Sequence, residues 1–295
     1  MKVLVTGGTG YIGEQLCTEL DERGHDVTAL ARHPESADLP AGVERVQGDV
    51  TASDSIEAAF EGQDAVVNLV ALSPLFKPRG GDRRHFEVHL RGTENVVAAA
   101  EEHDVGRLVQ MSALGADPDG PTAYIRAKGQ AERVVRESDL EWVILRPSVV
   151  FGEGGEFVPF TRKLTPPFVA PLPGGGKTRF QPIWVGDLVP MLADAVEGEA
   201  HAGETYELGG PEVVTLAEVA RRIHRAKGRP LTVVPVPMAL AGVGLKVAGS
   251  IPGFPMGADQ YRSLRMDNTV EDNDVDAFGY DEADLRTLDD YLAEI

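Results

Sequence analysis

The stretch Lys2-Val3-Leu4-Val5-Thr6-Gly7-Gly8-Thr9-Gly10-Tyr11-Ile12-Gly13 decides the fold. Lys2–Thr6 is a short β-branched run and reads as a strand. Gly7, Gly10 and Gly13 follow at G-x-x-G-x-x-G spacing. From Tyr11 the apolar period becomes helical, with Ile12, Leu16 and Leu20 on one face. A strand, a glycine turn and a helix in this order open a βαβ unit that holds a dinucleotide. Gly7 permits the sharp turn, Gly10 lets the backbone approach a pyrophosphate, and Gly13 lets helix pack close to strand. The helix N-terminus offers N–H groups and the positive end of its dipole to the phosphates. Thr9, Tyr11 and Ile12 complete the expected cofactor turn.

Outward from this turn, strand and helix patterns alternate. Asp26–Ala31, Val43–Gln47, Ala65–Val70, Arg107–Met111 and Trp142–Leu145 read as strands. Ser53–Phe60 reads as a short helix capped by Ser53. Asp82–His103 and Thr122–Glu137 read as longer helices. Regular alternation with apolar strands implies an α/β fold, a Rossmann-type doubly wound parallel sheet covered on both faces. After Pro147 the regularity fails and Gly and Pro rise. Helices are expected at Val185–Glu197, Leu216–Lys227, Met238–Val247 and Glu282–Glu294. The expected organisation is a dinucleotide-binding domain over residues 1–150, which also receives 178–210, and a smaller, less regular C-terminal substrate lobe over 151–295. Ligands in such sheets sit at the C-terminal ends of the strands.

Composition bounds the function. The chain has 295 residues, enough for a full core without disulfides. Its one cysteine, Cys17, cannot form an internal disulfide, which points to a reducing, cytoplasmic setting. No secretory signal is read at the N-terminus. The longest apolar stretch, Leu231–Ile251, is broken by Pro235, Pro237 and Lys246, so no membrane-spanning helix is expected. Net charge is −19, with 28 Lys and Arg against 47 Asp and Glu. That balance repels phosphate backbones and argues against nucleic acid as a partner. Many carboxylates with few lysines fit a protein kept soluble in concentrated salt, where screening removes self-repulsion.

Two further segments carry chemistry. At the end of the second strand stands Ala29-Leu30-Ala31-Arg32-His33, with no acid for a ribose 2′-hydroxyl. Arg32 is placed for a 2′-phosphate, so NADP(H) is preferred and NAD(H) is allowed. Tyr124-Ile125-Arg126-Ala127-Lys128 places a phenol and an ammonium one helical turn apart. A cation beside a phenol favours phenolate and is expected to lower its pKa. Ser112 ends the preceding strand and could hold the same substrate oxygen. Ser112, Tyr124 and Lys128 are the candidate catalytic residues, with Tyr124 as acid or base.

With these motifs the chain resembles the extended and atypical branches of the short-chain dehydrogenase/reductase superfamily. The resemblance spans nearly the whole chain. It implies that Asp49 in Gln47-Gly48-Asp49-Val50 contacts adenine, with Val50 beside it. Ala71 and Leu72 would line the cofactor, as would Pro147 and Val149 in Arg146-Pro147-Ser148-Val149-Val150-Phe151-Gly152. Lys128 would also hold the nicotinamide ribose. In the segment before Gly92-Thr93-Glu94-Asn95, the superfamily's asparagine position is occupied by His89. Phe180–Asp187 and Tyr206–Glu212 are typical of these branches. Asp259-Gln260-Tyr261 through Met266-Asp267-Asn268-Thr269-Val270 is similar to the group of the NADPH-binding accessory subunit of respiratory complex I and its prokaryotic relatives.

The resemblance implies an oxidoreductase acting on a carbonyl or alcohol of an apolar, quinone-pathway or lipid-like substrate. Two alternatives stand beside it. One is a non-catalytic NADPH-holding subunit with peripheral contact to a membrane or respiratory complex at the inner membrane face; the other is a nucleotide-sugar epimerase or dehydratase. Oligomeric state is not legible in the sequence.

Other motifs take plainer readings. Pro173-Gly174-Gly175-Gly176-Lys177-Thr178 imitates a phosphate loop, but Pro171 stands where the first glycine belongs, and it reads as a loop. His85 and His89 share a helix face without a third ligand, so no metal is assigned. Cys17 reads as a core residue. Met238–Ile251 reads as a helix packing into the smaller lobe, or as an apolar contact surface. Arg221, Arg222, Arg225 and Arg229 read as a solvated face that could meet anionic lipid.

Overall fold

Alternating strands and helices of the first half assemble into one sheet in the computed structural model, which describes residues 1–240 and 258–295. In chain order the first elements are β1 (Lys2–Thr6), α1 (Tyr11–Glu22), β2 (Asp26–Ala31), β3 (Glu44–Gln47) and β4 (Ala65–Asn68). After them come α2 (Arg83–His85), α3 (Gly92–Glu102), β5 (Arg107–Met111), α4 (Ala123–Arg136) and β6 (Glu141–Pro147). The seven-stranded sheet runs Thr205–Leu208, β6, β5, β4, β1, β2, β3. From β6 to β3 every neighbouring pair is parallel. The strand order reverses beside β1, which is where such sheets open a crevice for ligands.

The chain divides into two units. The first comprises Met1–Leu72, Arg83–Arg146 and Gly186–Tyr206. The second comprises Ser73–Asp82, Pro147–Val185 and Glu207–Ile295. The short segment Ser73–Asp82 thus leaves the sheet unit, which no sequence signal had marked.

In the first unit Leu4, Leu30, Phe60, Val66, Leu108 and Ile144 are fully buried in one cluster with Val96 and Ala100 of α3. The apolar strand runs predicted this two-sided burial. Two buried charges also serve the fold. Arg107 donates to the carbonyls of Val196 and Gly198 at the end of the helix Val185–Glu197. A cation there satisfies carbonyls that lack helical partners. Glu132, 1% exposed, accepts from Arg146 Nε at 2.8 Å and from its terminal nitrogen at 2.6 Å, with Arg136 at 3.0 Å. The Arg of the Arg-Pro segment therefore has a structural partner on α4.

Local differences from the sequence reading have physical causes. Ser53–Phe60 is two 3₁₀ turns, Ser53–Ser55 and Glu57–Phe60, and Ser53 caps neither. Ser55 instead accepts the Asp49 N–H, so the side chain organises the turn after β3. The long helix expected over Asp82–His103 contains a π-helical segment, Phe86–Arg91. The terminal helix is confined to Leu288–Ala293, where Thr287 and Asp290 form a capping box. The helix expected over Met238–Val247 falls mostly outside the described residues.

The second unit has two apolar clusters. One joins Phe151, Phe157, Val219, Ile223, Leu288 and Tyr291. The other joins Ala170, Leu172, Leu216 and Ala217. Asn268 ties its strands together: Oδ1 accepts from Val149 N–H at 2.9 Å and from Ser148 Oγ at 2.8 Å, and its carbonyl accepts from Gln181 N–H at 3.0 Å.

Removing Glu132 would leave two guanidiniums against an uncharged buried wall. Glu132→Ala is expected to lower stability by about 3–5 kcal/mol. Chemical denaturation reads the change, and a loss below about 1 kcal/mol would show the pair to be dispensable.

Candidate functional site

The glycine turn is built as its spacing requires. Gly7 has φ +79, a conformation that L side chains rarely adopt, and its N–H donates to Leu30 O at 2.8 Å. A Cβ on Gly13 would stand 2.2 Å from Gly7 O and 2.8 Å from Gly8 Cα. Only glycine allows α1 to start this close to the turn. Gly10 is the N-cap and no side chain caps the helix, so the first-turn N–H groups face outward without an internal substitute. Gly10 itself is exposed, while Thr9, Tyr11 and Ile12 are half-buried around it.

At the next strand ends, Arg32 is exposed directly after β2, and its carbonyl accepts from Gln47 Nε2 at 3.1 Å. Asp49 accepts from the N–H and the hydroxyl of Thr51 at 2.9 and 2.8 Å. Burial raises the Asp49 carboxyl, but the Thr51 donors and the nearby Arg32 and Arg84 guanidiniums outweigh it and hold it below its usual range. Arg32 and Asp49 therefore share one electrostatic neighbourhood. Val50 is buried, and its carbonyl accepts from Asn95 Nδ2 at 2.7 Å. A Cβ on Gly92 would lie 2.9 Å from Val50 Cγ2. The Gly-Thr-x-Asn segment thus holds Val50 through two of its members.

A buried polar chain, which sequence reasoning missed, joins the ends of β1, β4 and β5. Thr6 Oγ1 donates to Asn68 Oδ1 at 2.8 Å. Asn68 Nδ2 donates to Gln110 Oε1 at 2.9 Å and to Thr93 Oγ1 at 3.3 Å. Gln110 Nε2 donates to Met111 O at 3.1 Å, and Lys128 Nζ donates to the same carbonyl at 2.8 Å. The available signal was polar Thr6, Asn68 and Gln110 at the ends of strands that are otherwise apolar. Such residues cost stability unless they pair with one another.

Ser112 follows Met111 directly. Its N–H donates to Leu145 O at 2.7 Å, while its buried Oγ has no partner among the described residues. Tyr124 sits one turn before Lys128 on α4, with its ring edge-on to His89 at 5.3 Å and to His85 at 5.6 Å. The two imidazoles stack at 5.6 Å. The π-helical segment carries His89 inward to 2% exposure, and Leu72 N–H donates to its Nε2 at 3.4 Å. Burial, then the charges of Lys128 and His85, hold His89 well below the usual imidazole range, so the ring is neutral. With Nε2 accepting, the ring proton sits on Nδ1, which is buried without a partner.

The expected lowering of the phenol does not occur. Burial raises Tyr124, and no charge offsets it. Lys128 is turned to Met111 O, and burial pushes its amine down to about 8 against a partial pull from Glu132. The amine thus commits one of its three donors to this carbonyl, and burial rather than the amine sets the direction of the Tyr124 shift.

Gly7, Arg32, Asp49, Leu72, Ser112, Tyr124 and Lys128 all belong to the first unit, as do the exposed Ala71 and the remaining glycines. Pro147 and Val149 belong to the second unit. Cys17 is fully buried, and burial and Glu14 push its thiol up to about 12.

The chain has relatives among known proteins. The profile of an NAD(P)H-binding family matches residues 7–165. The chain belongs to that family, among the atypical short-chain dehydrogenases/reductases. It is 30% identical over 290 residues to NADH dehydrogenase (ubiquinone) 1 alpha subcomplex subunit 9, mitochondrial, of Arabidopsis thaliana, covering 91% of this chain and 71% of that one. It is 31% identical over 258 residues to 2-alkyl-3-oxoalkanoate reductase of Stenotrophomonas maltophilia, covering 78% of this chain and 77% of that one. A nucleoside-diphosphate-sugar epimerase crystal structure from Staphylococcus aureus superposes with TM-score 0.76 at 20% identity, covering 99% of this chain and 100% of that one. That likeness is one of fold.

For this dehydrogenase/reductase fold the buried amine has a measurable signature. Lys128 carries the cost of its buried charge fully below about pH 8, and the cost disappears as pH rises to 10.5, where the unfolded amine also loses its proton. Lys128→Met is therefore expected to raise stability by about 2–3 kcal/mol below pH 8, with the gain gone by about pH 10.5. Denaturation of both proteins across this range tests it. A gain independent of pH would contradict the assignment.

Proposed function

We propose that the chain is an NADPH-preferring oxidoreductase that reduces a carbonyl, or oxidises the corresponding alcohol, on an apolar substrate. The observation that carries this reading is the buried, unpartnered Ser112 Oγ beside the strand-end carbonyl that fixes Lys128. A buried hydroxyl without a partner costs about 1–3 kcal/mol, which a bound oxygen would recover.

The residues fit a dinucleotide. Gly7, Gly10 and Gly13 clear space for the pyrophosphate, and the α1 N-terminus supplies donors. Asp49 receives the adenosine end and Arg32 the 2′-phosphate. Lys128 offers its amine to the nicotinamide ribose. The bound cofactor supplies the hydride. Ser112 holds the substrate oxygen by donating its hydroxyl proton. Tyr124 gives that oxygen a proton as negative charge develops on it. A phenol raised by burial keeps its proton at neutral pH until a stronger base faces it, which suits the reducing direction. His89 orders this arrangement by accepting Leu72 N–H while its ring packs on Tyr124.

The similarity to a reductase of 2-alkyl-3-oxoalkanoates supports a ketone on an apolar chain as the substrate class. A second reading, an NADPH holder without turnover in a larger assembly, draws support from the similarity to a subunit of NADH dehydrogenase.

Two variants test the choice of cofactor and the chemistry in turn. Arg32→Ala is expected to weaken NADPH by about 10–100-fold and to leave NADH affinity within about threefold. Titration by cofactor fluorescence checks this, and equal losses for both cofactors would remove Arg32 from the 2′-phosphate. Tyr124→Phe is expected to abolish NADPH-dependent reduction of 2-alkyl-3-oxoalkanoates while binding is retained. If wild type binds NADPH without consuming it against such ketones or their quinone counterparts, the holder reading stands.

A further inference from the structure

The second unit carries a cationic and apolar face at odds with the rest of the chain. Residues 157–186 and 219–240 contain no Asp or Glu and hold nine Lys and Arg, in a chain of net charge −19. Within these segments, Arg221, Arg225 and Arg229 line one concavity together with Pro230 and Leu231. All three arginines are exposed, and among the described residues none forms an ion pair. Arg222, in the helix Leu216–Ala226, is held by Glu212 at 2.6 Å. Arg221 lies near enough to Glu218, one turn earlier on the helix, to lower that carboxyl; Arg225 and Arg229 reach the hollow with no ion pair among the described residues, and in a chain so rich in carboxylates they are set for an anion from outside.

An apolar surface adjoins the hollow. The strands Phe168–Pro173 and Leu231–Val236 form a two-stranded parallel pair. One face packs on Leu216 and Ala217 through Ala170, Leu172, Leu231 and Val233. The other face exposes Val169, Pro171 and Val234. Parallel sheet is nearly always covered on both faces. Strand alternation would put Phe168 on the packed side with Ala170 and Leu172. Instead Phe168 has φ +78, a strained conformation for an aromatic residue, and its ring is 62% exposed. Phe168 pairs with Leu231, which itself lines the arginine hollow. The exposed Phe168 therefore stands beside the cationic hollow.

We propose that this face docks the protein on an anionic lipid surface, with Arg221, Arg225 and Arg229 on headgroup phosphates and Phe168, Val169 and Val234 at the acyl boundary. An excess of cations beside outward apolar groups matches the layered chemistry of that surface. An acidic protein would supply carboxylates for the arginines but gives no reason to strain an aromatic ring outward.

Flotation of the full chain with vesicles tests the proposal, at the lowest salt at which its thermal melt shows it folded. Wild type is expected to float with vesicles of equal phosphatidylcholine and phosphatidylglycerol and to stay behind with phosphatidylcholine alone. Arg225→Ser and Arg229→Ser should each lower partitioning about fivefold. Phe168→Gly should lower it about tenfold. The same change should leave the melting temperature unchanged or raised, because glycine adopts φ +78 without strain. That split separates docking from folding. No flotation with either vesicle, equal flotation with both, or wild-type partitioning by the Arg and Phe variants would each overturn the proposal.

Discussion

One carbonyl organises the chemistry of the first unit. Met111 O accepts from Gln110 Nε2 and from the buried amine of Lys128, and Ser112 is the next residue. Through Gln110 and Asn68 the same carbonyl is connected to Thr6, the last residue before the glycine turn. The turn and the α4 amine are thus set by one hydrogen-bonded chain in a low-dielectric interior, where each bond is strong and each gap expensive. Steric constraint fixes the other end, because no side chain fits between Gly13 and Gly7 O.

Burial explains why Tyr124 and Lys128 behave unlike free side chains. Lys128 is lowered because it is buried, and Tyr124 is raised for the same reason. Burial disfavours charge on both, so the unit rests with a protonated phenol and an amine near the edge of its range. His89 belongs to the same regime: neutral, inward on a π-helical segment, with one nitrogen committed to Leu72. π segments within helices gather at functional positions. Here the segment turns an imidazole onto the ring of Tyr124.

The parallel sheet was legible because periodicity is a local property. β1, β2 and β5 match their sequence runs end to end, since apolar alternation and flanking glycines define them. The glycine turn was legible because backbone sterics leave few alternatives. Less visible were features that depend on partners distant in sequence. Asn68, Gln110 and Thr93 look like isolated polar residues until the strands are adjacent. The direction of the Tyr124 shift was misread because spacing shows that a cation is near, and not that burial outweighs it. Asn268, in the C-terminal segment that carries the family resemblance, ties Ser148, Val149 and Gln181 together.

In the proposed function, Arg32, exposed directly after β2, carries the choice between NADPH and NADH. The most direct measurement is a calorimetric titration of the full chain with NADPH and with NADH under identical salt. The account predicts a single NADPH site, saturated at one per chain, with a Kd at least about tenfold below that for NADH, the difference one charge-assisted pair provides. Failure to bind either dinucleotide, or tighter binding of NADH, would contradict it.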